Sequence, residues 1–190
     1  MGTPRMRLLV FAGLGAMCAL LAGCTASPKD TSKKEGEMLS SAEAKGEVRE
    51  LYEATKLLVG GDWIEDTRSW ERCTTEVGDV GVRYHFYTVR ASQPLQDRPE
   101  NVAEQVRSVW REHGHAIDEI THNTDMKPPR SIVSDPPWLG GSAPNGSLFQ
   151  VMVGTDFANY LATSRCVLGD LDALRATETS HLDDGSGGAL

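Results

Sequence analysis

Three closely spaced histidines come nearest to a metal site in this chain of 190 residues. His113, His115 and His122 lie close together in sequence, with Asp118 between them. Zinc needs three or four ligands that converge on one point. His113 falls at the predicted end of a helix, whereas His115 and His122 fall on opposite faces of a short predicted strand. We therefore predict no metal and no other cofactor, and keep a small metal-dependent hydrolase that uses these histidines as an alternative.

Other catalytic patterns are missing from the sequence. It contains no G-x-S-x-G nucleophile elbow and no phosphate-binding glycine loop before a helix. Adjacent acidic pairs, such as Glu65-Asp66, are typical of solvated surface, because catalytic carboxylates must face each other across a cleft. We therefore predict that the protein is not an enzyme.

Three tryptophans in polar or proline-rich stretches are candidate contact residues. Trp63, Trp70 and Trp138 fall in predicted loops, where tryptophan can anchor a partner or fold back as a plug over the core. Both alternatives stay open, and Trp138 is the residue singled out as a partner contact. The net charge of −8 argues against a nucleic-acid partner, because phosphate binding requires a basic surface.

The first 23 residues have the features of a secretory signal peptide. Arg5 and Arg7 give a positively charged start. The uncharged run from Leu8 to Ala22 is shorter than the roughly 20 residues that span a bilayer. A charged start, a short apolar run and small residues at its end are typical of a cleaved signal. The alternative is an uncleaved anchor helix that contains a structural cysteine.

The end of this run reads Leu21-Ala22-Gly23-Cys24 and resembles the lipobox of bacterial lipoproteins. The resemblance implies cleavage between Gly23 and Cys24 and a thioether-linked lipid on Cys24, with palmitate among its acyl chains. Two or more chains anchor a protein durably, whereas one does so only marginally. We therefore expect the protein on the extracytoplasmic face of the cell membrane, with the membrane as a partner only through this lipid.

The net charge of the mature chain supports a membrane contact that is made only through the lipid. Removing residues 1–23 removes Arg5 and Arg7 and no acidic residue, so the net charge changes from −8 to −10. A domain this acidic is repelled by an anionic membrane surface. Any protein or small-ligand partner is left undefined by the sequence.

The mature chain divides into three parts. Residues 24–39 form a flexible tether, residues 40–168 a single domain, and residues 169–190 a disordered acidic and Gly/Ser-rich tail. Within the domain, capping boxes predict helices that start at Ser40 and Asp97 and end at Gly60 and Gly114. Strands are predicted at 82–89, 116–122, 148–153 and 157–168, with an irregular edge strand near 131–133 inside a proline-rich loop.

These elements predict an α+β fold, with two helices on one face of a small antiparallel sheet of about four or five strands. Of the four cysteines, Cys18 leaves with the signal and Cys24 carries the lipid. Cys73 and Cys166 remain in a compartment that permits disulfides. They can pair in only one way, and two buried free thiols are the alternative.

Several features recur together in a known family. They are the L-A-G-C anchor, a helix before Gly60-Gly61-Asp62-Trp63, Cys73, a second helix ending W-R-E-H-G, the run N-G-S-L-F-Q-V-M-V and Cys166. Over residues 42–168 this pattern resembles the LppA-type lipoproteins of mycobacteria and related actinobacteria. The resemblance implies the anchor, the fold and the disulfide, and no catalysis. We expect a non-catalytic binding or cell-envelope interaction domain, with a structural or accessory subunit of a membrane complex as the alternative.

Overall fold

An antiparallel six-stranded sheet with helices against it is the architecture of the computed structural model, which describes residues 39–91 and 93–183. The strand order is β1-β2-β6-β5-β4-β3. The α+β class is confirmed, although the described part has six strands instead of four or five. The elements are α1 (Ser41–Val59), β1 (Trp63–Thr74), β2 (Val80–Arg90), α2 (Pro99–Glu112), β3 (Thr121–Asn123), β4 (Arg130–Asp135), β5 (Leu148–Gly154), β6 (Ala158–Thr163) and α3 (Leu171–Asp183).

Helix α1 begins and ends as the sequence predicts. Ser40 is the N-cap, and its side chain accepts a hydrogen bond from the backbone N–H of Glu43, whose carboxylate accepts one from the Ser40 N–H. Gly60 ends the helix with a φ of 67°, which glycine adopts without steric cost. The apolar positions turn inward and pack on the sheet, including Val48 and Leu51.

The predicted capping box of helix α2 is wrong. The N-cap is Arg98, which has φ −66° and ψ 142° and makes no side-chain cap bond. Pro99 explains the difference, because the residue before a proline is driven out of the helical region and proline favours the first helical position. Asp97 therefore lies one residue too early, and its Oδ1 accepts hydrogen bonds from Arg98 N and Asn101 Nδ2 instead.

Part of the region predicted as a disordered tail is helical. Helix α3 packs against β1, with Leu171 and Leu174 against the core. Asp170 Oδ1 accepts hydrogen bonds from the backbone N–H groups of Asp172 and Ala173 and so caps the first turn. The acidic composition predicted disorder, although this cap and the packing of the two leucines stabilise a helix.

Two of the three tryptophans lie in a strand and not in loops. Trp70 of β1 is 2% exposed and packs against Tyr84, with 5.2 Å between ring centroids. Trp63 begins the same strand and packs edge-on against Tyr52 at 5.8 Å. The pairing of β1 with β2 shifts between Glu65 and Thr67. Such a bulge breaks the two-residue alternation that identifies a strand in a sequence.

Other strands also differ from their predicted bounds. Of the predicted strand 116–122, only residues 121 and 122 pair in the sheet, where they form β3 together with Asn123. The strand near 131–133 is longer than expected and lies between β3 and β5, so it is not an edge. β6 ends at Thr163, and the chain returns to the sheet through a single bridge between Val167 and Val82.

The core is a cluster of aromatic rings held by buried hydrogen bonds. Trp110 of α2 is fully buried, and its Nε1 donates to Thr55 Oγ1 at 2.9 Å. Tyr160 of β6 lies between the two helices, and its hydroxyl donates to the Val48 carbonyl at 3.0 Å. These bonds satisfy the polar atoms that the rings carry into the interior. α1, α2 and the sheet are thereby fixed to one another.

Tyr84 differs from Tyr160 in one respect. It is also fully buried, but its hydroxyl has no hydrogen-bond partner among the described residues. A buried polar group without a partner costs about 1–3 kcal/mol. We expect Tyr84→Phe to raise the free energy of unfolding by about 1 kcal/mol, whereas Tyr160→Phe lowers it by a similar amount because a bond to Val48 is lost. Urea denaturation of the two variants measures this.

The difference in stability between Tyr84→Phe and wild type should depend on pH. Burial raises the pKa of Tyr84 to about 12, against about 10 for an unfolded tyrosine. The unfolded chain therefore loses this proton first, and the corresponding stability falls as the pH rises from about 10 to about 12. The advantage of Tyr84→Phe over wild type should grow in that window. A loss of stability in Tyr84→Phe at neutral pH would show that the hydroxyl has a partner.

The opposite face of the sheet is not covered by α1 and α2. Side chains that alternate with the core positions of β2, β5 and β6 are half-buried there, among them Tyr87, Met152 and Leu161. The sheet therefore has one packed face and one that is partly open to solvent, as antiparallel sheets commonly do.

Candidate functional site

The predicted anchor cannot be placed in the fold. Gly23 and Cys24, the signal peptide at 1–23 and nearly all of the tether lie outside the described residues. None of the described helices combines the length and the apolar character needed to cross a bilayer.

The predicted disulfide joins Cys73 and Cys166, whose Cα atoms are 6.0 Å apart. It links the end of β1 to the segment that follows β6. Gly81 makes room for the bridge, because a Cβ at this position would lie 2.9 Å from Cys166 Sγ and 2.6 Å from the Val167 carbonyl oxygen. The bridge therefore ties the last segment of the sheet domain to its edge strand.

The three histidines do not assemble as metal ligands. His113 and His122 are exposed, whereas His115 is largely buried in the connection between α2 and β3 and not on a strand. In the described part of the chain, no group of three His, Cys, Asp or Glu side chains has the arrangement to hold a metal ion.

His115 instead forms a pair that the sequence does not predict. Its Nδ1 lies 2.8 Å from Asp135 Oδ2 at the end of β4, and its ring packs edge-on against Phe149 at 4.5 Å. In a Ser–His–Asp triad, the other nitrogen of such an imidazole faces the nucleophile. No hydroxyl of a described residue bonds that nitrogen. The pair holds the α2–β3 connection against the sheet. No spacing in the sequence predicts this contact.

Two more histidines contact hydroxyl groups across strands. His122 Nδ1 lies 3.0 Å from Ser131 Oγ, and His85 Nδ1 lies 3.2 Å from Thr163 Oγ1. A nucleophile must be reachable by substrate, but Ser131 is 2% exposed and Thr163 is 7% exposed. These contacts are cross-strand pairs of the kind that stabilise sheets.

Among the described residues, a cleft of about 520 Å³ is a candidate binding site. It lies where the end of α1 approaches the connection between β2 and α2, and small-molecule sites commonly have about 300–1,000 Å³. Apolar and polar groups both line it. The lining consists of residues 57–61, Arg90, Gln93, Pro94, Gln96, Asp97, Val102 and Gln105.

Arg90 is the cation in the wall of this cleft. It is 6% exposed, and its guanidinium donates to the carbonyl oxygens of Gly60, Gln93 and Pro94 at 3.0, 2.6 and 3.4 Å. Gly61 permits this position, since it has a φ of +76° and a Cβ there would lie 2.6 Å from Arg90 Nε. The Gly60-Gly61 pair thus both ends α1 and admits a buried arginine. Only the end of the helix is predicted from the sequence.

Asp97 is the anion of the same cleft. Its bonds to Arg98 N and Asn101 Nδ2 lower the pKa of its carboxyl group, so it is ionised at neutral pH. Both bonds use Oδ1. No described residue bonds the other oxygen, Oδ2, which can therefore face solvent or a ligand. Leu57, 85% exposed, adds an apolar side chain to the rim.

Trp138, the predicted partner contact, lies in the loop between β4 and β5. Its side chain is half-buried, and the neighbouring Leu139 is 83% exposed. Leu139 has a φ of 68°, which is uncommon for a residue with a side chain. The loop therefore presents one large apolar side chain to solvent beside the tryptophan.

The comparisons with known proteins assign neither a family nor a function to the chain. No family model matches the chain, and no curated protein matches it. Among solved structures, it is similar to the crystal structure of a DUF4853 family protein from Actinomyces odontolyticus, with 16% sequence identity and a TM-score of 0.42. The similarity covers 70% of this chain and 75% of that one.

Proposed function

We propose that this is a lipid-anchored lipoprotein of the extracytoplasmic face of the cell membrane, whose domain binds a small ligand without catalysis. The observation that carries the binding part is the cleft beside Arg90. It combines a buried cation and an apolar rim with a volume in the range of small-molecule sites.

The anchoring part is supported by the sequence of the first 24 residues. A basic start, a short apolar run and Leu21-Ala22-Gly23-Cys24 together resemble a lipoprotein signal. The resemblance to the LppA-type lipoproteins supports the same proposal. A tether after Cys24 would let the domain reach ligands away from the headgroups.

The described site residues favour binding over catalysis. The imidazole–hydroxyl pairs hold buried hydroxyl groups, and the histidines do not converge on a common point. No observation in the described part of the chain favours the metal-dependent hydrolase. The accessory-subunit alternative has one in its favour, which is exposed Leu139 beside Trp138. That loop is the contact surface the alternative would use.

Binding in the cleft can be tested by methyl NMR with a fragment library. The sample is the full mature protein in detergent micelles, with labelled leucine and valine methyl groups. We expect fragment-induced shifts to concentrate at Leu57, Leu58 and Val102, because these line the cleft. Met152 and Leu161 on the open sheet face serve as the internal comparison, once methionine methyls are also labelled. Shifts confined to that face, or to Leu139, would contradict the proposed site.

A further inference from the structure

The charge of Arg90 is not matched by an acid within the described part of the chain. Its guanidinium is hydrogen-bonded to three carbonyl oxygens, and no described carboxylate lies within ion-pair distance. These bonds use three of the five N–H donors of an arginine. Buried charges are normally paired, so the cleft wall is suited to a carboxylate supplied by a ligand.

Asp97 makes a simple anion a poor match. Its carboxylate lines the same cleft and keeps its negative charge, because its hydrogen bonds favour the ionised form. A ligand that carries only negative charge would be attracted by Arg90 and repelled by Asp97. A ligand with an ammonium group as well would be attracted by both.

The other residues that line the cleft indicate which uncharged groups a ligand would carry. Gln93, Gln96 and Gln105 offer amide donors and acceptors, which suit a peptide unit. Leu57 and Val102 offer apolar contact. The lining therefore suits a short chain with two opposite charges, a polar backbone and an apolar side chain.

We infer that the cleft binds zwitterionic amino acids or short peptides, with the carboxylate toward Arg90 and the ammonium toward Asp97. This inference rests on the proposed function, since it specifies the ligand class of the same cleft. It assigns a ligand-binding role to Arg90 and Asp97.

The test uses three forms of one dipeptide with the full mature protein in detergent micelles. The probes are leucyl-leucine, its N-acetyl derivative, which lacks the ammonium, and its C-terminal amide, which lacks the carboxylate. Methyl shifts of Leu57 and Val102 report binding. We expect the dissociation constant of the free dipeptide to be at least about tenfold smaller than that of either capped form, because each cap removes one charge-assisted hydrogen bond.

Asp97→Asn is the diagnostic variant, because Asp97 is exposed and asparagine retains an oxygen that can accept the bonds from Arg98 and Asn101. It should bind the free and N-acetylated dipeptides equally. Arg111→Gln, an exposed arginine at the end of α2, is the matched control and should leave all three affinities unchanged. Arg90→Lys should weaken only the forms that carry a carboxylate. It is read only if its melting curve is retained, since Arg90 also holds three carbonyl groups.

The outcomes separate the two proposals. If the capped dipeptides bind in the cleft as tightly as the free one, the zwitterion inference is overturned and the proposed binding function stands. If free leucyl-leucine produces no saturable shift at Leu57 and Val102 while library fragments do, the inference is again overturned. If no probe and no fragment shifts these methyl groups, both fail.

Discussion

Cys24→Ala should abolish lipidation and leave an uncleaved precursor. The reason is chemical, since the thioether requires the cysteine sulfur and processing of a lipoprotein precursor follows its lipidation. Metabolic labelling with an alkyne fatty acid should give a signal for the wild type and none for the variant. The precursor should run as a larger protein on a denaturing gel.

Cys18→Ala is the matched control. Cys18 lies in the apolar run that the signal interpretation removes, so its loss should change neither labelling nor processing. Normal fatty-acid labelling and normal size in Cys24→Ala would refute the lipoprotein interpretation. Loss of labelling in Cys18→Ala would indicate that Cys18, and not Cys24, carries the lipid.

Removing the disulfide should have the largest effect on stability. Cys73 and Cys166 are 93 residues apart, and closing a loop of that length restrains the unfolded chain by about 4–5 kcal/mol in the chain-entropy model. A domain of this size is stable by only about 5–15 kcal/mol. We expect the double variant Cys73→Ala, Cys166→Ala to lose a large share of its stability, which urea denaturation under non-reducing conditions measures.

Reduction of the wild type provides the control. Reduced wild type and the double variant should unfold at similar urea concentrations, because both lack the constraint and keep the same core. Adding reductant to the double variant should change nothing. An unchanged unfolding midpoint after complete reduction of the wild type would contradict the expected contribution of the bridge.

The parts of the fold that the sequence predicts well are those with local signals. Helix α1 has a capping box at Ser40, an apolar stripe and a glycine stop at Gly60, and all three were readable. Strand β2 alternates cleanly from Val82 to Phe86, since one of its faces packs on the core. In each case the local preference and the tertiary environment agree.

The errors arise where neighbouring residues override a local signal. Pro99 moves the start of α2 by one residue and turns a predicted capping pair into a turn at Asp97. A bulge near Asp66 hides β1. Helix α3 depends on the contact that Leu171 and Leu174 make with distant strands. The composition of a segment does not predict such long-range contacts.

The candidate site was less predictable than the fold. The histidines attracted attention because of their spacing, but a site is defined by what converges in space, and His115 meets Asp135 instead of the other histidines. Arg90 was not predicted as a site residue, because a single arginine at the end of a strand is common in protein sequences. The Gly60-Gly61 pair was the available signal, since the second glycine is what admits the guanidinium.

Mass spectrometry of the N-terminal peptide from the membrane fraction tests the central proposal most directly. Digestion of the purified protein should release a peptide that begins at Cys24 and carries a diacylglyceryl group on its sulfur, and no peptide from residues 1–23. That result would establish both the cleavage after Gly23 and the covalent anchor. A peptide that spans Gly23 and Cys24, or an unmodified Cys24 at a free N-terminus, would contradict the account of a lipid-anchored domain.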